Sequence, residues 1–563
     1  MNKAIITATL VACLGLHPIK ATEPATPLKP PTSGNPLCPY LFTADPTAIE
    51  YEGRLYVYAT NDTEEYLRPG RTGGNTYSAI RTLAILSSAD LVNWTYHGLI
   101  PVGDLCGQWF RNSWAPSVVS RVEADGKTHF YLYFSNSGAG VGVLTATSPL
   151  GPWTCPIDHP LVDGSTPGVA PCSAPMDPGA VIDDDGVGWL AFGGGGTNPS
   201  GTDALPGNAR IIRLKPNLIE VDGSAAEIKA PYHFEANELN YIGGKWVYTY
   251  CSTWAQRTDW ASLATGKQAS GVCSMDYMVS NDPLHTGSWR YMGEYFANPG
   301  YVPGASWYNN HTHLHKFGSR YYLLYHTTWL EGAKDGAAAT FRSCAINRAT
   351  VAERIHYISP VTADNVGVAQ LQPLNPYTVQ EAEQTATGAG IDYDNFRNPT
   401  PATDSRLSHL GMAIADIPSG AWTMVRSVDF GTDGAAQLTA RLRGRGTLEV
   451  RLDDITHAPA ATIHFSSAAW RDVTADVSPT TFTGRHDVYF FFTDTRSAWF
   501  DRWQFTPHVV ADAITSLGSG DERREARIPY DLAGRPLSHP MPPSGLVILP
   551  SGDGRAGRKV IVR

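Results

Sequence analysis

The sequence predicts an all-β chain: a five-bladed β-propeller, then a β-sandwich of the jelly-roll kind and a short β tail. Three observations predict it. A hairpin phrase is written five times in the first 330 residues, a Trp-led phrase keeps step with it, and near Val366 the text changes into a new run of alternating strands.

The hairpin copies are IEYEGRLYVYA from Ile49, RVEADGKTHFYLYFS from Arg121, VIDDDGVGWLAFGG from Val181, LNYIGGKWVYTYC from Leu239 and LHKFGSRYYLLYH from Leu314. Alternating apolar residues broken by a Gly-containing turn read as β-hairpins with one buried face. Their turn glycines (Gly53, Gly126, Gly186, Gly244, Gly318) recur every 58 to 74 residues, the mark of radial or solenoid repetition. The second phrase, SSADLVNWTYHG from Ser87, SPLGPWTC from Ser148 and SNDPLHTGSWRYMG from Ser280, suits the outer part of a blade. Blades of about four strands follow from these repeats.

Position within the repeat selects the candidate site. Asp45 lies eight residues before its turn glycine, Asp177 and Glu235 each nine, Trp114 twelve and His311 seven. Equivalent hairpins would bring these five residues to one end of the axial channel. A lone Asp or Glu at a strand start commonly caps a turn; three at one register, in one pocket, would repel one another and so point to chemistry. Glu238 is the rival of Glu235, and period-2 alternation places the two on opposite strand faces. Asp183, Asp184 and Asp185 read as turn residues before Gly186. His311, His313 and His315 alternate on one strand face.

Composition bounds the class. Charged residues are 17%, aromatics 10%, and Gly and Pro number 54 and 41, a profile of loop-rich β structure. Net charge is -10 with no large Lys/Arg cluster, which excludes nucleic acid as an expected partner. The start, MNKAIITATLVACLGLHPIKA, reads as a secretory signal peptide over 1–21, so the chain is expected to be secreted or at the cell surface. Residues 22–34 read as a Pro-rich linker, 35–365 as the propeller, 374–508 as the sandwich and 509–563 as a linker and tail. Of eight cysteines Cys13 falls in the leader, leaving an odd seven; Cys155–Cys172 and Cys251–Cys273 are the bridges that the spacing suggests. In the sandwich, AWTMVRSVDFG, AQLTARLRG, GTLEVRLDD, ATIHFS, HDVYFFFTD and WFDRWQFTP read as separate short strands.

Ala44-Asp45-Pro46, Trp114-Ala115-Pro116, Asp177-Pro178-Gly179, Phe234-Glu235-Ala236 and Asn310-His311, each before one hairpin, resemble glycoside hydrolase family 43. The resemblance implies a general base at Asp45, a residue that orients and tunes the acid at Asp177 and a general acid at Glu235. It also implies an axial-channel histidine at His311, near a bound cation or water, and an arginine at Arg342 near the substrate or the carboxylates. A Trp at the channel mouth, Trp114, can stack on a sugar ring. No organic cofactor is implied. Glu381-Ala382-Glu383 and Phe500-Asp501-Arg502-Trp503 resemble carbohydrate-binding module family 6, which implies Glu381, Glu383 and Asp501 as ligands of a structural calcium. Trp422, Trp470 and Trp499 are available for stacking, while Val425 stands where some relatives carry a Tyr. The tail, through Tyr530–Arg535, Gly545–Ile548 and Gly557–Val560, resembles the C-terminal sorting domain of type IX secretion, which implies the secretion machinery as a partner.

The expected activity is that of a secreted, inverting exo-glycosidase of plant cell-wall hemicellulose: an α-L-arabinofuranosidase on arabinoxylan or arabinan. Its alternatives are a β-D-xylosidase (xylan 1,4-β-xylosidase) or a bifunctional enzyme, and more remotely a non-catalytic glycan-binding propeller. Inversion needs a carboxylic acid at the leaving oxygen and a carboxylate that activates water on the opposite sugar face. Glu235 should therefore be held protonated by burial and by Asp177, and Asp45 held ionised by water or by hydrogen-bond donors.

Overall fold

The structure is a computed structural model describing residues 22–195, 202–399 and 411–509, with the backbone of two strands at 545–549 and 558–562. The expected signal peptide, Cys13 and the motif at Tyr530–Arg535 lie outside the described residues.

Five antiparallel blades follow one another in chain order. Blade 1 holds β1 (Ala44–Tyr51), β2 (Arg54–Thr60), β3 (Leu83–Ser88) and β4 (Trp94–Ile100). Blade 2 holds β5 (Pro116–Val122), β6 (Thr128–Ser135), β7 (Gly140–Ala146) and β8 (Val162–Asp163). Blade 3 holds β9 (Gly179–Ile182), β10 (Gly188–Phe192), β11 (Arg210–Leu214) and β12 (Val221–Glu227). Blade 4 holds β13 (His233–Ile242), β14 (Lys245–Ser252), β15 (Met275–Ser280) and β16 (Arg290–Phe296). Blade 5 has three strands, β17 (Thr312–Phe317), β18 (Arg320–Thr327) and β19 (Ser343–Ala349). Beside β19 the N-terminal segment closes the ring: Leu37 N–H donates to Cys344 O and the Asn35 side chain accepts from Ile346 N–H.

Second strands such as RLYVYAT and THFYLYFS are buried along both faces because each blade is stacked between two others. Tyr58, Ile85, Leu132 and Phe134 join blades 1 and 2, and Tyr133, Val143, Leu190 and Ile212 join blades 2 and 3. This layering also corrects the expected Cys155–Cys172 bridge. Cys172 packs between blades 2 and 3, whereas Cys155 lies against the core on the other side of blade 2, with its sulfur 2.7 Å from that of Cys106. Cys251 and Cys273 are neighbouring thiols at 3.4 Å.

After the small hairpin β20 (Val351–Ala352) and β21 (Tyr357–Ile358) comes the sandwich. Short strands β22 (Gln380–Glu381), β23 (Gln384–Thr385), β24 (Thr387–Ala389), β25 (Phe396–Arg397) and β26 (Ala413–Ile417) lead into β27 (Trp422–Asp429). Three long strands complete it: β28 (Ala435–Leu452), β29 (Ala461–Asp476) and β30 (Arg485–Pro507). Segments expected to be separate are thus continuous. AQLTARLRG and GTLEVRLDD form one strand through Gly444, whose φ of +89° permits the irregularity there, and a Cβ at that position would lie 1.9 Å from Ser497 O. Trp422 is fully buried with its indole N–H on Ala25 O, so it is not a stacking surface.

Propeller and sandwich share one compact unit. β23 adds to the outer edge of blade 1, pairing Gln384 with Thr95 and Thr385 with Trp94. Leu86, Trp94 and Tyr96 belong to the same apolar cluster as Phe396, Ile414 and Val428 of the sandwich. The Pro-rich linker segment is also packed against the sandwich. Lys29 is buried with its ammonium on Gly34 O, and Thr387 donates to Lys29 O. In the second unit, Val509–Arg563, β31 (Gly545–Leu549) pairs antiparallel with β32 (Arg558–Val562).

Candidate active site

One pocket at the end of the propeller channel gathers all six propeller residues singled out in the sequence. Asp45, Trp114, Asp177, Glu235, His311 and Arg342 line it with Tyr77, Ala115, Met176, Asn309 and Asn310. Its empty space, counted out to the open mouth, is about 440 Å³.

The carboxylates are aimed by a backbone kink that three repeats share. Asp45 has φ +49°, Asp177 φ +52°, and Ala236, next to Glu235, φ +60°. Such left-handed conformations cost energy for any residue with a Cβ and persist where surrounding contacts enforce them. Hydroxyls at the ends of second strands supply part of that enforcement. Thr60 donates to Asp45 Oδ2 at 2.9 Å, and Ser135, in the neighbouring blade, donates to Asp177 Oδ1 at 3.0 Å. The Asp177 N–H donates in turn to Ser135 Oγ, and Ala236 N–H donates to Asp177 Oδ2 at 2.8 Å.

Asp45 is buried and surrounded by donors. Arg342 Nη1 reaches its two oxygens at 2.8 and 3.1 Å, and His311 Nδ1 lies 3.5 Å from Oδ1. Burial alone would raise its pKa, but Arg342 and His311, the first of two nearby histidines, hold the carboxyl well below the usual range. Donors keep it ionised. His326 is the second histidine. Its pKa falls to about 3 through burial and the Arg342 charge, its Nε2–H donates to Asn309 O, and its Nδ1 accepts from Asp45 N–H. His326 Nδ1 therefore faces Asp45 Oδ1 at 3.4 Å as a neutral ring, not as half of an ion pair.

Glu235 is the opposite case. Burial, then the charges of Asp177 and Asp45, push its pKa up to about 8. Burial also raises Asp177, and the two carboxyls titrate as an interacting pair. The proton belongs on Glu235, because both Asp177 oxygens accept N–H or O–H donors that favour the ionised form, while no described residue donates to Glu235.

Arg342 sits differently from an arginine that reads substrate. Its Nε and Nη2 hold Asp62 at 2.8 Å each, and Nη1 is taken by Asp45. Its guanidinium also lies 5.2 Å from the centre of the Tyr77 ring. Trp114 is half-buried, edge-on to Tyr77, with its indole N–H on Tyr77 O. The Tyr77 ring in turn stacks on Tyr308.

The strand-alternation argument against Glu238 does not hold. The β13–β14 register slips between Glu235 and Glu238, so both turn toward the axis. Glu238 lies deeper, fully buried, accepting from His313 Nδ1 at 2.8 Å, and His313 Nε2 meets His315 Nδ1 at 3.3 Å. Glu238 Oε2, Asn310 Oδ1, His311 Nε2 and His315 Nε2 are buried without a partner among the described residues. Asp183 takes the turn role expected of it, accepting from Asp185 and Val187 N–H.

Thr60, Asp62, Ser135 and His326 escaped the sequence reading. Three of them carry a signal there: Thr60, Ser135 and His326 lie seven, nine and eight residues after their turn glycines, a shared register as plain as that of the carboxylates. Asp62 opens a short helix, Asp62–Tyr66, after blade 1's second strand; the helix in the same place in blade 5 opens with Trp329, so no repeated carboxylate marks it.

In the sandwich, burial first and then the Asp501 charge raise the pKa of Glu381, and burial with the charges of Glu381 and Asp501 raises that of Glu383; Asp501 is raised by burial and by Asp472. Glu383 Oε2 is buried without a partner among the described residues. Asp501 also lies 3.3 Å from Arg441 Nε. Among the described residues no three His, Cys, Asp or Glu side chains form a ready-made metal cage.

Comparison with known proteins settles the family. Residues 33–358 match the model of glycosyl hydrolases family 43. The chain belongs to that family. It is accordingly an O-glycosyl hydrolase, and residues 381–507 match the model of carbohydrate binding module (family 6). An arabinoxylan arabinofuranohydrolase of Bacillus subtilis (strain 168) is 37% identical over 89% of this chain and 98% of its own length. One from Paenibacillus polymyxa is 37% identical over 87% of this chain and 77% of its own. The crystal structure of a glycoside hydrolase family 43 arabinoxylan arabinofuranohydrolase from Bacillus subtilis, in complex with cellotetraose, superposes with a TM-score of 0.77 at 36% identity, covering 86% of this chain and 99% of that one.

Proposed function

We propose that this family 43 enzyme is an inverting α-L-arabinofuranosidase that removes arabinofuranosyl units from arabinoxylan. The carrying observation is the opposed protonation of two pocket carboxyls: Glu235 held protonated, with a pKa of about 8, and Asp45 held ionised by Arg342. Glu235 gives its proton to the glycosidic oxygen as the bond to the anomeric carbon breaks. Asp45 takes a proton from the water that attacks the opposite face. Asp45 accepts donors at both oxygens, which suits a base that orients water better than a nucleophile that must displace a sugar. Asp177, pinned between Ser135 and Ala236, raises Glu235 by its charge. The names of the 37% identical relatives support the arabinoxylan substrate.

The β-xylosidase alternative draws on a xylosidase/arabinosidase of Humicola insolens, 25% identical over 53% of this chain. Release of p-nitrophenol from the α-L-arabinofuranoside against the β-D-xylopyranoside decides between them, together with arabinose release from wheat arabinoxylan. A clear preference for the xyloside overturns the leading reading.

Export and display belong to the same proposal: a leader over 1–21 and a sorting tail, of which the hairpin β31–β32 is the described part, suit an enzyme acting on extracellular polysaccharide. Calcium in the sandwich would be held by Glu383 with Glu381 and Asp501, all hard oxygen donors, and would neutralise their mutual repulsion. The orphaned polar atoms of His311, Glu238 and Asn310 suit a water or a hydrated cation in the channel. Whether the sandwich itself binds sugar rests on Trp470 and Trp499, which meet edge-to-face at 6.0 Å.

A further inference from the structure

We propose that Trp254, Trp307 and Tyr301 form a rim that grips the pyranose main chain of the polysaccharide while the pocket takes the arabinofuranosyl branch. The inference rests on the arabinoxylan reading above.

Each of the three is a large aromatic left open to solvent: Trp254 is 43% exposed, Trp307 43% and Tyr301 56%. Exposed aromatics clustered on one patch mark an interaction surface more often than a single stray one does. These are clustered. Trp254 and Trp307 have ring centres 6.5 Å apart at 60°, and Trp307 and Tyr301 4.4 Å apart at 69°.

Their place in the fold puts them beside the acid. Trp254 follows the end of β14 by two residues, at the end of blade 4 where Cys251 pairs with Glu235 and Ser252 with His233. Trp307 directly precedes Tyr308 and the pocket-lining Asn309. Tyr308 shares a hydroxyl contact with Tyr77 and feels the Glu235 charge. Chain adjacency thus sets the rings beside the pocket, and none of the three lines it.

The rim is also held in place before any ligand arrives. A Cβ at Gly300 would lie 2.6 Å from the Trp307 ring, so the indole packs directly on that backbone. Asn298 fixes the same turn, accepting from Gly300 N–H at 2.8 Å and donating to Tyr308 O at 2.8 Å. A preorganised surface loses little conformational freedom on binding.

The chemistry favours a pyranose chain. A pyranose chair offers an aromatic ring a flat patch of axial C–H groups, whereas a furanose is smaller and puckered. Rings tilted against one another meet the successive sugar faces of a twisting chain. The rim thus selects a xylan-type main chain over an arabinan one.

The test is inhibition by linear xylohexaose, which carries a main chain and no branch. It is read against hydrolysis of whichever p-nitrophenyl glycoside, arabinofuranoside or xylopyranoside, the wild type cleaves. We expect competitive inhibition of the wild type and a roughly tenfold higher inhibition constant in Trp254→Ala and in Trp307→Ala, as for aromatic hot spots, with Trp254→Phe recovering most of the affinity. The kcat from the same assay reports whether the pocket is intact. No inhibition of the wild type, or an inhibition constant unchanged in both alanine variants, overturns the rim. Which aryl glycoside is cleaved tests the arabinofuranosidase reading separately.

Discussion

Arg342 Nη1 donates to both oxygens of Asp45, at 2.8 and 3.1 Å, while the other edge of the same guanidinium holds Asp62. One buried cation thus serves two buried carboxylates, one from the start of blade 1 and one from just beyond its second strand. Replacing Arg342 with Ala would leave both uncompensated. We expect a loss of about 3–5 kcal/mol of stability, read by urea denaturation, and a fall in kcat of at least about 100-fold. Arg342→Lys should restore part of the stability but not the forked contacts, so its kcat stays low.

The pH profile follows from the two carboxyls. Activity needs Glu235 protonated, so kcat/KM should fall as pH rises through about 8. Asp45 is held below the usual carboxylate range, so the acid limb set by its protonation should lie below that range as well. Removing the Asp177 charge removes one cause of the raised Glu235 pKa. In Asp177→Asn the alkaline limb should therefore move to lower pH, visible even at reduced kcat. A limb that stays near 8 would mean that Asp177 does not tune the acid.

Glu235→Gln separates proton donation from binding. Natural arabinosides and p-nitrophenyl substrates should lose several orders of magnitude in kcat, as expected for loss of a general acid. A 2,4-dinitrophenyl arabinoside, whose leaving group departs without a proton, should lose far less. Equal losses on the two would point to a different acid, with Glu238 the first candidate.

Calcium removal bears on the sandwich trio. A ligand present at 100 times its Kd contributes about 2.7 kcal/mol to the folded state. Chelation by EDTA should lower the Tm of the full chain, and re-addition of calcium should restore it. Glu383→Gln should melt at the chelated value with or without the metal.

Separation of the domains should fail. The outer edge of blade 1 is completed by β23, and Trp94 and Tyr96 share a core with sandwich residues Phe396 and Ile414. A chain ending at residue 365 exposes both an unpaired strand edge and that apolar face. Its Tm should fall by roughly 10 °C or more, with a matching loss of soluble yield.

The propeller was legible because radial repetition writes the same hairpin again and again, and chemistry then stands out as departures at a fixed register. Asp45, Asp177, Glu235 and His311 were found that way. Glu238 was misplaced because a slipped register inverts strand alternation, and no residue letter announces the slip. Asp62 was hidden because the helix that follows blade 5's second strand opens with Trp329, so no repeated carboxylate points to it. The long bent strands of the sandwich read as separate ones because Gly444 looks like a turn when it is a bend within a single strand. Residues 22–34 read as a Pro-rich linker, and composition does not encode that the Lys29 and Ala25 carbonyls accept from Thr387 and Trp422 of the sandwich.

The most direct test is the anomeric form of the first sugar released, followed by proton NMR in the opening minutes of wild-type hydrolysis. With Glu235 protonating one side of the bond and Asp45 activating water on the other, an α-linked arabinofuranoside should yield the β anomer first. Initial appearance of the α anomer would mean a covalent, double-displacement route, and would contradict the assignment of Asp45 as a base.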